Sequence, residues 1–207
     1  MKRYVVPFGL LLLFALTACE PGVGSTVAAE EAALAARAAN RHGGGQEVPA
    51  AAAGNPAIPT RGVLNFAAPL DAEQEVADPA VESDATGVAT FQYRAGSGEI
   101  HYRLIVANIE NVRMAHIHVA PAGVNGPVVV WLYPDAPPAQ VIPGRTNGIL
   151  ATGVITADSL VGMLAGAEIS DLLELMIAGD TYVNVHTDQY PPGEIRGQID
   201  RGNGVAR

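Results

Sequence analysis

Two histidines in the segment RMAHIHVAPAGVNGP (residues 113–127) are separated by a single isoleucine. In a β-strand, residues i and i+2 lie on the same face, so His116 and His118 would point the same way with Cα atoms about 7 Å apart. Two imidazoles in this arrangement could ligate one ion at a metal–nitrogen distance of about 2.0–2.1 Å. A third imidazole, that of His186 in the segment TYVNVHT, would complete a set suited to copper or zinc.

Two further residues are candidates for a fourth metal ligand. Met114 shares the predicted face of the histidine pair, and its thioether would favour Cu(I). Glu194 follows the short segment DQYPPG, which is short enough for a hairpin that brings His186 near Glu194 or Arg196. The alternative to a metal site is that these histidines form hydrogen bonds to the backbone and to neighbouring carboxylates and bind nothing.

The elements that would position these residues are short strands. Eight segments rich in β-branched and aromatic residues follow Gly62 and are separated by Gly, Pro, Asn and Asp turns. This pattern predicts an all-β, antiparallel sandwich or barrel. One short helical insertion is predicted at residues 170–180, with Ser170 as the cap and Gly179 as the stop. The predicted strands are residues 63–70, 86–94, 98–109, 112–119, 128–133, 149–156, 181–187 and 194–200.

Two aromatic residues of these strands are interpreted mainly as structural. Trp131 in the segment VVVWLY is predicted to be a core aromatic residue, and the alternative is a surface platform for a ligand. His101 alternates with the apolar side chains of its strand and is predicted to be a solvated outer residue between charged neighbours.

The amino terminus resembles a secretion signal. Lys2 and Arg3 precede an apolar run of about thirteen residues, shorter than the roughly 20 that a membrane span needs. The segment LTAC (residues 16–19) resembles the bacterial lipobox, whose cysteine is acylated after cleavage. Cys19, the only cysteine, is therefore predicted to be lipidated and to anchor the protein to a membrane outside the cytoplasm. Glu20 after it favours the outer membrane, on the periplasmic side, if the cell is Gram-negative.

The sequence predicts four regions. They are a lipoprotein signal peptide (1–18), the lipidated Cys19 with a flexible tether rich in Ala, Gly and Pro (19–62), the folded domain (63–201) and a disordered tail (202–207). The net charge is −9, and it becomes −11 when residues 1–18 are removed. An acidic surface repels phosphate backbones, so we do not expect nucleic acid as a partner.

Five segments together resemble the CHRD domain, which is named after chordin and occurs in many bacterial secreted proteins. The resemblance implies an immunoglobulin-like β sandwich or barrel over residues 63–201, and it implies no defined activity. Growth-factor antagonism is not implied, because the cysteine-rich modules that accompany these domains in chordin are missing from this chain. The segments are LDAEQEV (70–76), TGVATF (86–91), GEIHYRLIVANIENV (98–112), AHIHVAPAGVNGPVVVWL (115–132) and YVNVHTDQYPPGEIRGQI (182–199).

Three functions remain open. The first is a non-enzymatic binding or adhesion module of the cell envelope, with a protein partner or as a homodimer. The second is a lipoprotein that binds copper or zinc through His116, His118 and His186. The third is a metalloenzyme similar to superoxide dismutase, which needs six histidines, an aspartate and usually a disulfide, whereas the folded domain has four histidines. The chain also lacks a G-x-S-x-G nucleophile motif, which argues against a serine hydrolase. We expect a non-enzymatic function, with the metalloenzyme as the alternative.

Overall fold

A computed structural model describes residues 58–201 of the chain. The predicted signal peptide, Cys19, most of the tether and the tail at 202–207 lie outside the described residues, and what the sequence predicts for them stays a prediction. No helix within the described part is long and apolar enough to cross a membrane.

The described chain is built mainly from antiparallel strands, which confirms the all-β fold class. One α-helix, α1 (Ile169–Ala178), interrupts them, and two single-turn 3-10 helices at Ala157–Ser159 and Gly162–Leu164 precede it. The strands are β1 (Val63–Leu70), β2 (Thr86–Arg94), β3 (Glu99–Val119), β4 (Val128–Tyr133), β5 (Ile142–Ile155), β6 (Thr181–Thr187), β7 (Ile195–Gln198) and β8 (Asp200–Arg201).

The strands form one sheet that nearly closes into a barrel. Its order is β7-β6-β3-β2-β1-β8, and β4 and β5 also pair with β3. The end of β1 meets β7 where Asp71 and Arg196 exchange backbone hydrogen bonds of 3.1 and 2.9 Å. The contact is close because Gly197 has no side chain: a Cβ there would lie 2.2 Å from the carbonyl oxygen of Pro69.

The longest strand, β3, joins two strands that the sequence predicted separately at 98–109 and 112–119. Asn108 and Asn111 have positive φ angles of 57° and 52° at this junction. The pairing of β3 with β5 shifts register here, as in β-bulges. The strand is therefore locally irregular but does not end. Its first half pairs with β2, its second half pairs with β4 and β6, and β5 pairs with it from Ile100 to Val112.

Two other boundaries differ from those predicted. The segment from Ile142 onward belongs to β5 and pairs with β3, although the Pro-rich composition of residues 133–148 indicated a loop. Helix α1 begins at Ile169, and its amino-terminal cap is Glu168 instead of Ser170. Gly179 ends the helix in the left-handed conformation with φ 76°, as predicted.

Both faces of the sheet are buried around the second half of β3. The odd-numbered residues Ala115, Ile117 and Val119 contribute to the apolar core, and the even-numbered His116 and His118 are buried as well. Every residue of β6 is also buried. The polar face that the sequence predicted is thus a second, polar interior. The largest fully buried apolar side chains elsewhere are Phe66, Phe91, Ile100, Leu104, Ile109, Leu132, Ile155, Leu172 and Leu173.

Candidate metal centre

The register of β3 against β6 places three histidines on this polar face. His186 lies opposite Met114, and Asn184 lies opposite His116. Side chains of directly opposed residues in an antiparallel pair share a face. The ligand atoms of His116, His118 and His186 all lie within 4.8 Å of one another. The three side chains are buried, with exposed fractions of 2%, 8% and 5%.

Two backbone carbonyls fix the tautomers of His118 and His186. His118 donates from Nδ1 to the carbonyl oxygen of Gly126 at 2.8 Å, and His186 donates from Nδ1 to that of Pro191 at 2.9 Å. A carbonyl only accepts, so each Nδ1 carries the proton and the lone pair of each neutral ring is on Nε2. Metal-binding histidines are commonly oriented in this way by a carbonyl on the second ring nitrogen.

The third ring, that of His116, lies between the other two. Its Nδ1 lies 3.2 Å from Nε2 of His186, which is a hydrogen-bond distance, so His116 donates from Nδ1 and the lone pair of its ring is on Nε2. The buried Nε2 atoms of His116 and His118 have no hydrogen-bond partner among the described residues. Buried polar atoms are nearly always paired, so these two atoms call for an explanation. A bound ion would provide one.

Burial keeps the three imidazoles neutral. Burial, together with the neighbouring His186 and His118, lowers the pKa of His116 from 6.5 to about 3. Burial, together with His186 and Arg196, lowers the pKa of His118 to about 4, although its hydrogen bond to the carbonyl of Gly126 acts in the opposite direction. The pKa of His186 is lowered by burial as well. Neutral imidazole is the form that binds metals, so the lone pairs are available at neutral pH.

His118 belongs to a stack of side chains that also contains Tyr182 and Arg196. The ring of Tyr182 lies parallel to that of His118, with centroids 4.8 Å apart and an interplanar angle of 11°. The guanidinium carbon of Arg196 lies 3.5 Å from the centre of the Tyr182 ring on the same stack. The Tyr182 hydroxyl accepts a hydrogen bond of 3.1 Å from the backbone N–H of Gly126. The turn that orients His118 is thereby fixed to the stack.

The sequence matches the model of the CHRD domain family over residues 66–199. The chain belongs to the CHRD domain family. No curated protein matches it. The resemblance seen in the motifs is thus confirmed, and the matched span includes the whole histidine cluster of the CHRD domain.

The predicted ligands occupy different places in the CHRD domain. The structure brings His116, His118 and His186 together, and Met114 lies on the same face, partly buried. Glu194 is buried but does not belong to the cluster. Its carboxylate oxygens accept hydrogen bonds from the hydroxyls of Ser83 at 2.6 Å and Thr187 at 2.7 Å.

The two aromatic residues interpreted from the sequence also have defined surroundings. Trp131 is only partly buried, and its ring packs edge-on against His116 with centroids 4.3 Å apart. It therefore covers the histidine cluster from β4. His101 is partly exposed, 3.7 Å from the carboxylate of Glu99, and lies on the first half of β3.

Sequence reasoning missed the groups that surround the cluster. Gly126 and Pro191 act through carbonyls, which residue types do not reveal, although both turns directly follow histidine-bearing strands. Glu75 was also missed: Asn184 donates to its carboxylate from Nδ2 at 3.4 Å. Burial raises the pKa of Glu75 to about 7, against the lowering effects of Arg196 and Asn184.

Proposed function

We propose that this protein is a lipid-anchored, extracytoplasmic metal-binding protein whose CHRD domain holds one copper or zinc ion without catalysing a reaction. The observation that carries the proposal is the buried cluster of His116, His118 and His186, whose ligand atoms lie within 4.8 Å of one another. Imidazole nitrogens suit both copper and zinc. The ion would be held between β3 and β6, with the carbonyls of Gly126 and Pro191 orienting two of its ligands.

Substitution of one cluster histidine tests the metal-binding proposal. We expect His118→Ala to weaken copper or zinc binding tenfold or more, because it removes one of three ligands. The measurement is elemental analysis and titration of purified protein before and after loading with each ion. His101→Ala is the matched control, since His101 lies on the same strand outside the cluster. Unchanged affinity in the His118 variant would reject the proposal.

The anchoring part of the proposal rests on the lipobox-like segment that ends at Cys19. Two or three acyl chains on one residue give stable attachment to a membrane. We expect Cys19→Ser to move the protein from the membrane fraction to the soluble fraction, with loss of the acyl mass from the amino-terminal peptide. Retention of the variant in the membrane would contradict lipidation at Cys19.

A binding or adhesion module is the second candidate, and strand β5 favours it. Within the described sheet β5 pairs with β3, and its side chains Ile149 and Val154 are 55% and 43% exposed. An edge strand with exposed β-branched residues is suited to pairing with a strand from a partner or from a second copy. A dimer or partner complex that persists when metal is removed by a chelator would favour this candidate.

A further inference from the structure

We propose that the ion held by the cluster is monovalent copper, Cu(I), and that the buried charge of Arg196 selects it over divalent ions. The inference rests on the proposed metal-binding function and specifies its ligand. It is carried by the composition of the cluster and by the stack behind His118.

The cluster offers no negative charge to a bound ion. Its members among the metal-ligating residue types are three histidines, and an imidazole ring brings no negative charge to the site. An ion bound there keeps its full charge in a buried site. The free energy needed to remove an ion from water rises steeply with its charge. The desolvation penalty for entering this site is therefore far larger for a divalent ion than for a monovalent one. The thioether of Met114 on the same face is a soft ligand of the kind that Cu(I) prefers.

Arg196 adds a buried positive charge to the stack that contains the proposed ligand His118. Its side chain is 1% exposed. The guanidinium donates to the carbonyl oxygens of Pro121 and Val124 at 3.2 and 2.9 Å, and to Oδ1 of Asn125 at 3.2 Å. All three acceptors are neutral, so none of these contacts cancels the charge. The Tyr182 ring contacts both the guanidinium and the His118 ring.

The size of this effect follows from Coulomb's law. Two unit positive charges about 10 Å apart, at an effective dielectric constant of about 20, repel each other enough to weaken binding roughly tenfold for each unit of ion charge. A divalent ion therefore loses about tenfold more than Cu(I) does. Glu75 acts against Arg196, but burial raises the pKa of its carboxyl group, which weakens that opposing charge.

Competition titrations against chromophoric chelators of Cu(I) and of Zn(II) test the inference at pH 7. We expect the unaltered chain to bind Cu(I) more tightly than Zn(II), by at least the roughly tenfold that the charge of Arg196 contributes. Arg196→Met should reduce that preference about tenfold, chiefly through tighter Zn(II) binding, and should lower the Cu(II)/Cu(I) potential by about 59 mV. Arg103→Met is the control, since Arg103 is an exposed arginine on β3.

Glu75→Gln provides a second variant if Arg196→Met fails to fold. It removes a partial negative charge without changing the size of the side chain, so the preference for Cu(I) should increase. Zn(II) affinity equal to or above that for Cu(I), or a preference unchanged in both variants that fold, would overturn the inference and leave the metal-binding function standing. Absence of histidine-dependent binding of either ion would instead reject the metal-binding function itself.

Discussion

At the scale of single residues, the alternation of side chains explains most of what the sequence revealed about the candidate site. His116, His118 and His186 were placed on one face by strand periodicity, and the structure brings them together. The orienting groups were not predictable, because Gly126 and Pro191 contribute backbone carbonyls. The burial of the polar face was also unexpected, since alternating sequences usually indicate one solvated face.

The low pKa values of the histidines predict acid sensitivity of the metal-free protein. Between pH 6.5 and about 4, the histidines of the unfolded chain take up protons while His116 and His118, with pKa values of about 3 and 4, stay neutral in the fold. The unfolded state then binds more protons, so the free energy of unfolding falls as the pH decreases through this range. Glu75, whose pKa is raised to about 7, acts in the opposite direction between pH 4.5 and 7.

On acidification, three buried histidines lower the free energy of unfolding and one buried carboxyl group raises it. We therefore expect a net loss of stability. Urea denaturation in the presence of a chelator at several pH values measures it. His116→Gln removes one of these histidines, so its free energy of unfolding should depend less steeply on pH between 4.5 and 6.5. If the free energy of unfolding changed equally with pH in the unaltered chain and in the variant, the buried imidazole of His116 would not resist protonation.

At the scale of elements, the strands that alternate regularly were predicted closely and the irregular ones were not. The bulges near Asn108 and Asn111 allow β3 to continue where turn-forming residues indicated a break. The start of β5 at Ile142 was missed because its residues up to 148 are mainly turn formers, and pairing with β3 overrides that preference.

The turn after β3 provides a test at this scale. A Cβ on Gly126 would lie 1.9 Å from the carbonyl oxygen of Val119, so Gly126→Ala must displace the turn. Its carbonyl would then no longer fix the ring of His118, and we expect metal affinity to fall about ten- to a hundredfold. Gly96→Ala is the control, because a Cβ on Gly96 meets no atom within 4 Å. Equal affinity in both variants would show that the carbonyl does not orient the ligand.

At the scale of the whole domain, the near-closed barrel explains how distant segments form one site. His116 and His186 are 70 residues apart in sequence and become neighbours because β6 pairs with the second half of β3. The strand count and the family motifs predicted the architecture. They did not predict this pairing in detail, because one sequence does not reveal the register between β3 and β6, which β4, β5 and α1 separate along the chain.

The most direct test is X-ray absorption spectroscopy of the metal-loaded protein. If one ion is shared by His116, His118 and His186, the first shell should contain three imidazole nitrogens at about 2.0 Å, with the multiple scattering that is typical of imidazole rings. A spectrum with only oxygen ligands, or with a single imidazole, would contradict a metal centre between β3 and β6.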